Sequence, residues 1–547
     1  MSNPVTNLRK SLQPLDRTAI LLILLLSLLI GGLVLKGDRT APRVREFSWQ
    51  NRQVGAEDAA FVLTFSRPMD QPSVEQNLRI DPPVPGKFSW AGRRMAYTLD
   101  APAPYGKTFK LELQGARDRF SKTEDARSQM QPFVGEFSTR DRAFVYLGVE
   151  GSETGRLVLQ NLTSQKQEVL TPENLVVMDF KPYPEGDRIL FSAIERTTQA
   201  GLLDQQLYTV TTGIQIRPTA STPGGIAPSA VQRTSQPAKI VELLLDNKEF
   251  QNLKFDLSPD GQSILVQRVN RQDPGQFGIW LLQSGAPPKP IKTEPGGDFM
   301  ITPDSKALAM SQGQGMAILP LADLTQANPT QANPTQASSA QADSTQTAET
   351  SKAMDFLPKF GVVLTFASDG SAAAMVKFNT DPANPTRSLF LVNNQGTDKE
   401  LLKTDGAILS AQFDPAKKNL YCLMTRRIPG DVYQEQPYLT AIHLPTANDP
   451  KASNPKASDP EVIDLLKLPL QRDVQMSLSP DGLGILFDQA TDAASSQQAG
   501  AVRGSEGKAI ATSRLWFVPA LQDPQGRPLP AEPQEVGLMG LRPQWLP

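Results

Sequence analysis

The 547-residue sequence predicts a mostly β chain with three parts in series. These are a single N-terminal transmembrane helix, an Ig-sized β-sandwich and a seven-bladed β-propeller closed by the C-terminal strand. Three observations carry that reading. Proline accounts for 47 of 547 residues, about 9 % against a usual ~5 %, which disfavours long helical bundles. One long apolar run lies near the N-terminus. One turn motif then recurs through the last four hundred or so residues.

Bulk composition sets the outer bounds. The chain is too long for one ordinary domain. Lys plus Arg is 55 and Asp plus Glu is 57, a formal charge of −2, and a nucleic-acid-binding domain is usually strongly basic. The sequence therefore predicts no nucleic-acid partner. One cysteine, Cys422, excludes an intrachain disulfide framework and a Cys-rich zinc site, and one histidine, His443, excludes most His-based metal clusters. No cofactor or metal is expected.

Residues 1–17 read as a short cytoplasmic tail and 18–36 as the helix. From Ala19 to Leu35 the chain is AILLILLLSLLIGGLVL, seventeen residues without a charge. At ~1.5 Å per residue this spans roughly 26 Å, slightly short of a ~30 Å hydrocarbon core. Arg17 and Lys36 can reach to the headgroups and close the gap. A cleaved leader has a shorter apolar core and a small-residue cleavage site, which Lys36-Gly37-Asp38-Arg39-Thr40-Ala41-Pro42 does not offer. An uncleaved anchor is the better reading. Flanking charge does not set its orientation, because Arg9, Lys10 and Arg17 precede the span while Lys36, Arg39, Arg43 and Arg45 follow it.

Residues 42–140 alternate in short runs between turn signals, as strands with one buried face do. Phe61–Phe65 is a strand that Pro68 helps to end, and Lys87–Trp90, Met95–Leu99 and Thr108–Leu113 alternate as well. The stretch resembles the bacterial Ig-like domain of S-layer (SbsA-type) and other exported proteins. The resemblance rests on Phe65-Ser66-Arg67-Pro68-Met69-Asp70, Gly86-Phe88-Trp90, Tyr105–Phe109, Gly115–Asp118 and Phe137-Ser138-Thr139. It implies an extracytoplasmic spacer without catalytic residues. Trp90, Phe65 and Tyr97 read as core, with Trp90 as the one binding candidate, an aromatic platform for a cell-wall glycan.

Residues 141–547 repeat an apolar strand, a Ser-Pro-Asp-Gly-like turn and two further apolar strands. The clearest copies are Phe255–Gly261 and Met476–Gly482. Degenerate ones are Met178–Pro182, Phe299–Asp304, Leu364–Gly370 and Ala411–Pro415. Proline sets the first corner of such a turn, aspartate bonds to the local backbone and glycine accepts positive φ. A four-stranded unit of this kind cannot bury both faces alone, so the units must stack around an axis. Leu541–Pro547 reads as a first strand without successors, and Ala143–Leu147 and Gly155–Leu159 as second and third strands without a first. Together they predict a composite seventh blade that seals the ring. The region resembles the TolB and WD40-like propellers common in bacterial envelope proteins. No G-x-S-x-G elbow occurs in a strand-to-helix context, so a propeller hydrolase is the minor reading. Paired carboxylates in the central channel remain its one route.

Four low-complexity insertions, 211–238, 322–353, 445–460 and 489–512, have too little apolar content to order themselves. The first three fall between third and fourth strands, on the side of the Ser-Pro-Asp-Gly turns. The fourth falls between second and third. His443 and Cys422 read as structural members of strands, and Asn161-Leu162-Thr163 as an incidental match to a glycosylation triplet. The functional expectation is a non-enzymatic protein-interaction scaffold in the bacterial inner membrane, with the bulk of the chain periplasmic or extracellular. The alternatives are carbohydrate binding through Trp90 and a hydrolase.

Overall fold

The computed structural model describes residues 14–36, 41–120, 129–197, 204–214, 236–313, 315–322, 355–379, 381, 385–444, 460–471, 473–492 and 510–547. Most of the four low-complexity insertions, and the chain before Pro14, lie outside them. The chain forms two compact units. One comprises residues 1–50, 60–98 and 109–136, the other 51–59, 99–108 and 137–547.

In the first unit, helix α1 runs Pro14–Lys36. Its side chains are described from residue 18 to residue 31, and Ile20 through Ile30 are exposed throughout that stretch. Among the described residues no helix is long and apolar enough to cross a membrane. Residues 18–31 would span only about 21 Å at the helical rise.

Strands β1 (Val44–Phe47), β3 (Ala60–Phe65), β6 (Arg94–Leu99) and β5 (Gly86–Ala91) form one antiparallel sheet in that order. A second sheet has the order β2 (Gln53–Val54), β8 (Phe133–Thr139), β7 (Thr108–Leu113), β4 (Leu78–Asp81). The period-2 pattern of the sequence is realised: Phe61, Leu63 and Phe65 of β3 and Phe109, Leu111 and Leu113 of β7 are fully buried. The Pro68-Met69-Asp70 step has a structural role. Met69 is buried and bridges to Asp118, and Asp70 caps the short helix α2 (Gln71–Asn77), accepting from the Ser73 amide at 3.2 Å.

The second unit opens with β9 (Ala143–Gly148), β10 (Leu157–Asn161) and β11 (Lys166–Val169). Four-stranded antiparallel meanders follow. The first is β12–β15 (Leu175–Pro182, Arg188–Glu195, Gln206–Thr211, Val241–Leu245), the second β16–β19 (Phe250–Leu257, Ser263–Asn270, Phe277–Gln283, Lys289–Ile291). The third is β20–β23 (Phe299–Ile301, Ala307–Gln312, Gly315–Pro320, Asp355–Leu357) and the fourth β24–β27 (Val362–Phe366, Ala372–Asn379, Thr386–Asn393, Asp398–Thr404). The fifth is β28–β31 (Ile408–Phe413, Asn419–Ile428, Gln434–His443, Glu461–Lys467). The last strands are β32 (Met476–Leu478), β33 (Gly484–Asp492), β34 (Ile510–Pro519) and β35 (Gln534–Trp545). They join the opening strands in one seven-stranded sheet ordered β11-β10-β9-β35-β34-β33-β32.

β35 does two jobs in that sheet. Its first half pairs with β34, Gln534 opposite Phe517 and Met539 opposite Arg514. Its second half pairs with β9, Gln544 opposite Val145 and Trp545 opposite Phe144. The C-terminal strand thus meets the opening strand, as the orphaned sequence motifs require. The fourth-strand role of its first half has no counterpart in the sequence reading.

Sheets of this kind expose two apolar faces and gain stability by burying them against neighbours. Each cluster of buried side chains joins one sheet to the next: Leu190 and Leu207 with Phe255 and Val266, Leu265 with Leu308, Ala309 with Met375, Val376 with Leu420, Leu423 with Phe487. Leu486 then packs with Phe144 and Trp545, and Val145 with Phe191, so the series returns to its start. First strands of successive sheets also touch, β16 with β20, β24 with β28, β28 with β32 and β32 with β35, which makes them the innermost strands.

Candidate functional site

The innermost strands carry alternating charges where the repeat places a residue between core positions. Arg542 of β35 lies 3.7 Å from the Asp179 carboxylate of β12 and donates to the Met178 carbonyl at 2.6 Å. Lys181 of β12 pairs with Asp256 of β16, whose other oxygen accepts from the Ile301 amide of β20 at 2.7 Å. Lys254 of β16 pairs with Asp298, just before β20, at 2.6 Å. Crowding by protein pushes the Asp179 carboxyl up from its usual range, and Arg542 is the strongest opposing influence. Three carboxylates and three cations therefore neutralise one another between consecutive sheets. A glycosidase-like pair needs one protonated acid facing one free carboxylate, and Asp179, Asp256 and Asp298 each face a cation instead.

The repeated turns use up their own polar groups. Ser258 donates to Asp260 at 2.6 Å and Ser479 to Asp481 at 2.6 Å, while Gly261 and Gly482 take φ of 68° and 72°. Asp481 also accepts from the Tyr105 amide at 3.1 Å.

The opposite end of the sheets has a different character. The first strands begin there and the second and third strands turn there, as the pairing of Phe250 with Asn270 and of Val269 with Phe277 shows. β-Bulges at the inner strands leave Leu253 and Leu409 unpaired and exposed. Phe277 and Phe378 are exposed near the hairpin ends. The β29–β30 hairpin extends past its sheet neighbours, pairing as far as Ile428 with Gln434. Its tip presents Val432 at 71 % and Tyr433 at 60 % exposure. Leu483, Leu521 and Leu529 are exposed at the turn end as well; what sets this end apart is the projecting Val432–Tyr433 hairpin tip, exposed apolar surface on a rigid scaffold, and this end is the candidate site. The sequence reading missed it: the signal was Pro429-Gly430-Asp431 followed by two apolar residues at a turn, where polar ones are usual.

Residues singled out in the sequence fall elsewhere. Trp90, on β5, stacks on Phe65 with centroids 6.0 Å apart, and its indole N–H donates to Glu75 at 2.9 Å. Tyr97 is buried and donates to the Val84 carbonyl. His443 ends β30 and shares a 2.8 Å hydrogen bond with Asn419. Cys422 is fully buried, and burial pushes its thiol up, away from reactivity. Asn161 ends β10 and bonds Asp141 at 2.8 Å. A cleft of ≈ 680 Å³ between the sheets of β12–β15 and β16–β19 is rimmed by Ile214 and Gln236, which border a segment outside the described residues. We attach no site to it.

Antiparallel four-stranded sheets in series, packed face to face through a closed succession of cores, define a β-propeller. No family model matches the sequence, and no curated protein does. Among solved structures the chain is similar to TolB from Acinetobacter baumannii at 11 % identity over 86 % of this chain and 83 % of that one, with a TM-score of 0.34. It is also similar to a putative TolB from Agrobacterium tumefaciens at 10 % identity over 60 % and 90 %, TM-score 0.31. Prolyl oligopeptidase B from Galerina marginata shares 9 % identity over 86 % of this chain and 53 % of its own, TM-score 0.40.

Proposed function

We propose that this is a membrane-anchored, non-enzymatic bacterial envelope protein whose propeller is a protein-interaction scaffold. The observation that carries the reading is the apolar end of the propeller, where Val432 and Tyr433 stand out on a protruding hairpin beside the exposed Leu409 of the same sheet. The cation-paired carboxylates of the inner strands support the absence of hydrolysis. In this reading the seven-stranded sheet is two blades sharing β35, giving seven blades in all, and the 44–139 sheets form an Ig-like spacer. Helix α1 is the anchor. Its uncharged run Ala19–Leu35 would cover about 26 Å of a ~30 Å core, with Arg17 and Lys36 reaching the headgroups, and the exposed side chains from Ile20 to Ile30 suit lipid. The bulk of the chain then lies on the periplasmic or outer side.

A photoreactive residue placed at Tyr433 or Phe277 is expected to give one reproducible protein adduct in intact cells, and at Gln262, on the turn side, none. Equal adduct patterns at all three positions, or none at any, would remove the scaffold reading.

A further inference from the structure

A second site lies at the seam where β35 passes from one blade to the next. A cavity of ≈ 470 Å³ opens between β33–β34 and β9, walled by Phe144, Leu162, Leu483, Leu486, Phe517 and Trp545. That volume falls in the usual range for small-ligand sites. Most of the wall is apolar, and the polar groups on it are unevenly matched.

Arg142 sits over two of the lining rings, 5.2 Å from the Trp545 centroid and 5.9 Å from that of Phe517. Its one ion pair among the described residues, with Asp481, is long at 3.7 Å. Trp545 is 5 % exposed, and its indole N–H is buried with no hydrogen-bond partner. A buried donor left unpaired is costly, and a native fold normally satisfies it. Of the two acceptor-bearing side chains on the rim, Glu535 is engaged by Arg514 at 2.6 Å and Gln534 is a neutral amide that also donates. Apolar walls are thus combined with a held guanidinium and an unmatched N–H, both of them donors.

We propose that this cavity binds a small carboxylate carried on an apolar, preferably aromatic, body. The body would fill the space between Leu483, Phe517 and Trp545. The carboxylate would take the Arg142 guanidinium, in surroundings where water competes weakly and a charge-assisted bond is correspondingly strong. Because Leu486 and Phe517 belong to strands on one side of β35 and Phe144 to a strand on its other side, the ligand would also tie the ring shut and raise its melting temperature. This site is separate from the apolar end of the propeller and does not depend on it.

The test uses the full chain in lipid nanodiscs and 4-phenylbutyrate bearing a ring diazirine. Adducts are expected on peptides spanning Leu483–Phe487 and Val536–Trp545. Unlabelled 4-phenylbutyrate should compete roughly tenfold better than 4-phenylbutyramide, the margin a charged hydrogen bond supplies. Arg142→Gln should erase that preference, Arg142→Lys should keep part of it, and Leu483→Trp should block labelling by filling the space. Melting curves show whether each variant is folded. Even if Arg142→Gln unfolds, the acid-against-amide comparison and Leu483→Trp decide the matter. Adducts mapping elsewhere, or an amide that competes as well as the acid, would overturn the proposal.

Discussion

Asp488 shows how one side chain sets conditions for the whole ring. It lies on β33 with no solvent exposure, and its two oxygens accept from the Gln475 amide at 2.6 Å and the Arg542 amide at 2.7 Å. Arg542 has φ of 51° at the bulge where β35 changes partner, so this carboxyl holds the strand at its bend. Burial pushes it up to about 7, against the backbone donors and Arg542. An unfolded chain releases that proton near pH 3.8 while the fold keeps it to about 7. The contribution of Asp488 to stability is therefore greatest below pH 4, falls as pH rises from about 4 to about 7, and is level above. At ~1.4 kcal/mol per unit the loss is about 4 kcal/mol. In Asp488→Asn the amide cannot accept from both donors, which costs a constant amount, but the part of the slope due to this carboxyl should vanish. Melting temperatures measured from pH 4 to 8 read this directly, and parallel curves for the two proteins would count against it. No sequence pattern announces the role. In Ile485-Leu486-Phe487-Asp488 the aspartate looks like a polar strand residue, and its partner Arg542 is 54 positions away.

Whole strands were more legible than single residues wherever the turn chemistry was local. Ser258-Pro259-Asp260-Gly261 and Ser479-Pro480-Asp481-Gly482 need only their own atoms to specify a turn, so the first strands could be placed from the sequence alone. The orphaned Leu541–Pro547 could likewise be matched to Ala143–Leu147. Gln534–Met539 could not be read as a fourth strand, because it alternates weakly and its pairing with β34 depends on the bend at Arg542. The element-scale prediction concerns that strand. Deleting residues 540–547 removes the buried Leu541, Trp545 and Leu546 and uncovers Phe144 and Tyr146. At about 2 kcal/mol for each lost side chain, the melting temperature should drop on the order of 10 °C. Deleting only Pro547 leaves the Leu546 amide on the Ala143 carbonyl and should change little. An unchanged melt in the longer truncation would mean that the ring does not rely on its C-terminal strand.

At the scale of the molecule, composition determines the class of architecture and leaves the surface unspecified. Frequent proline and repeated turns imply strands in series, yet the apolar end of the propeller arises from residues scattered over nearly two hundred positions, Leu253 to Tyr433, none of them unusual alone. Topology across a bilayer is equally opaque to charge: Arg9, Lys10 and Arg17 face Lys36, Arg39, Arg43 and Arg45 across the apolar run, and long domains translocate largely regardless of such a balance. The physical discriminator is access. If α1 crosses the inner membrane with residues 1–17 in the cytoplasm, protease added to spheroplasts should digest everything after about residue 40 and leave a short membrane-embedded N-terminal fragment. By their composition the low-complexity insertions 211–238, 322–353, 445–460 and 489–512 should be cut before the packed strands and give a ladder of defined fragments. Removing residues 1–41 should release a folded chain from the membrane with its melting temperature unchanged, since α1 precedes the first strand, which starts at Val44. Protection of the whole chain in spheroplasts, with digestion only after lysis, would place the propeller in the cytoplasm and exclude the envelope reading.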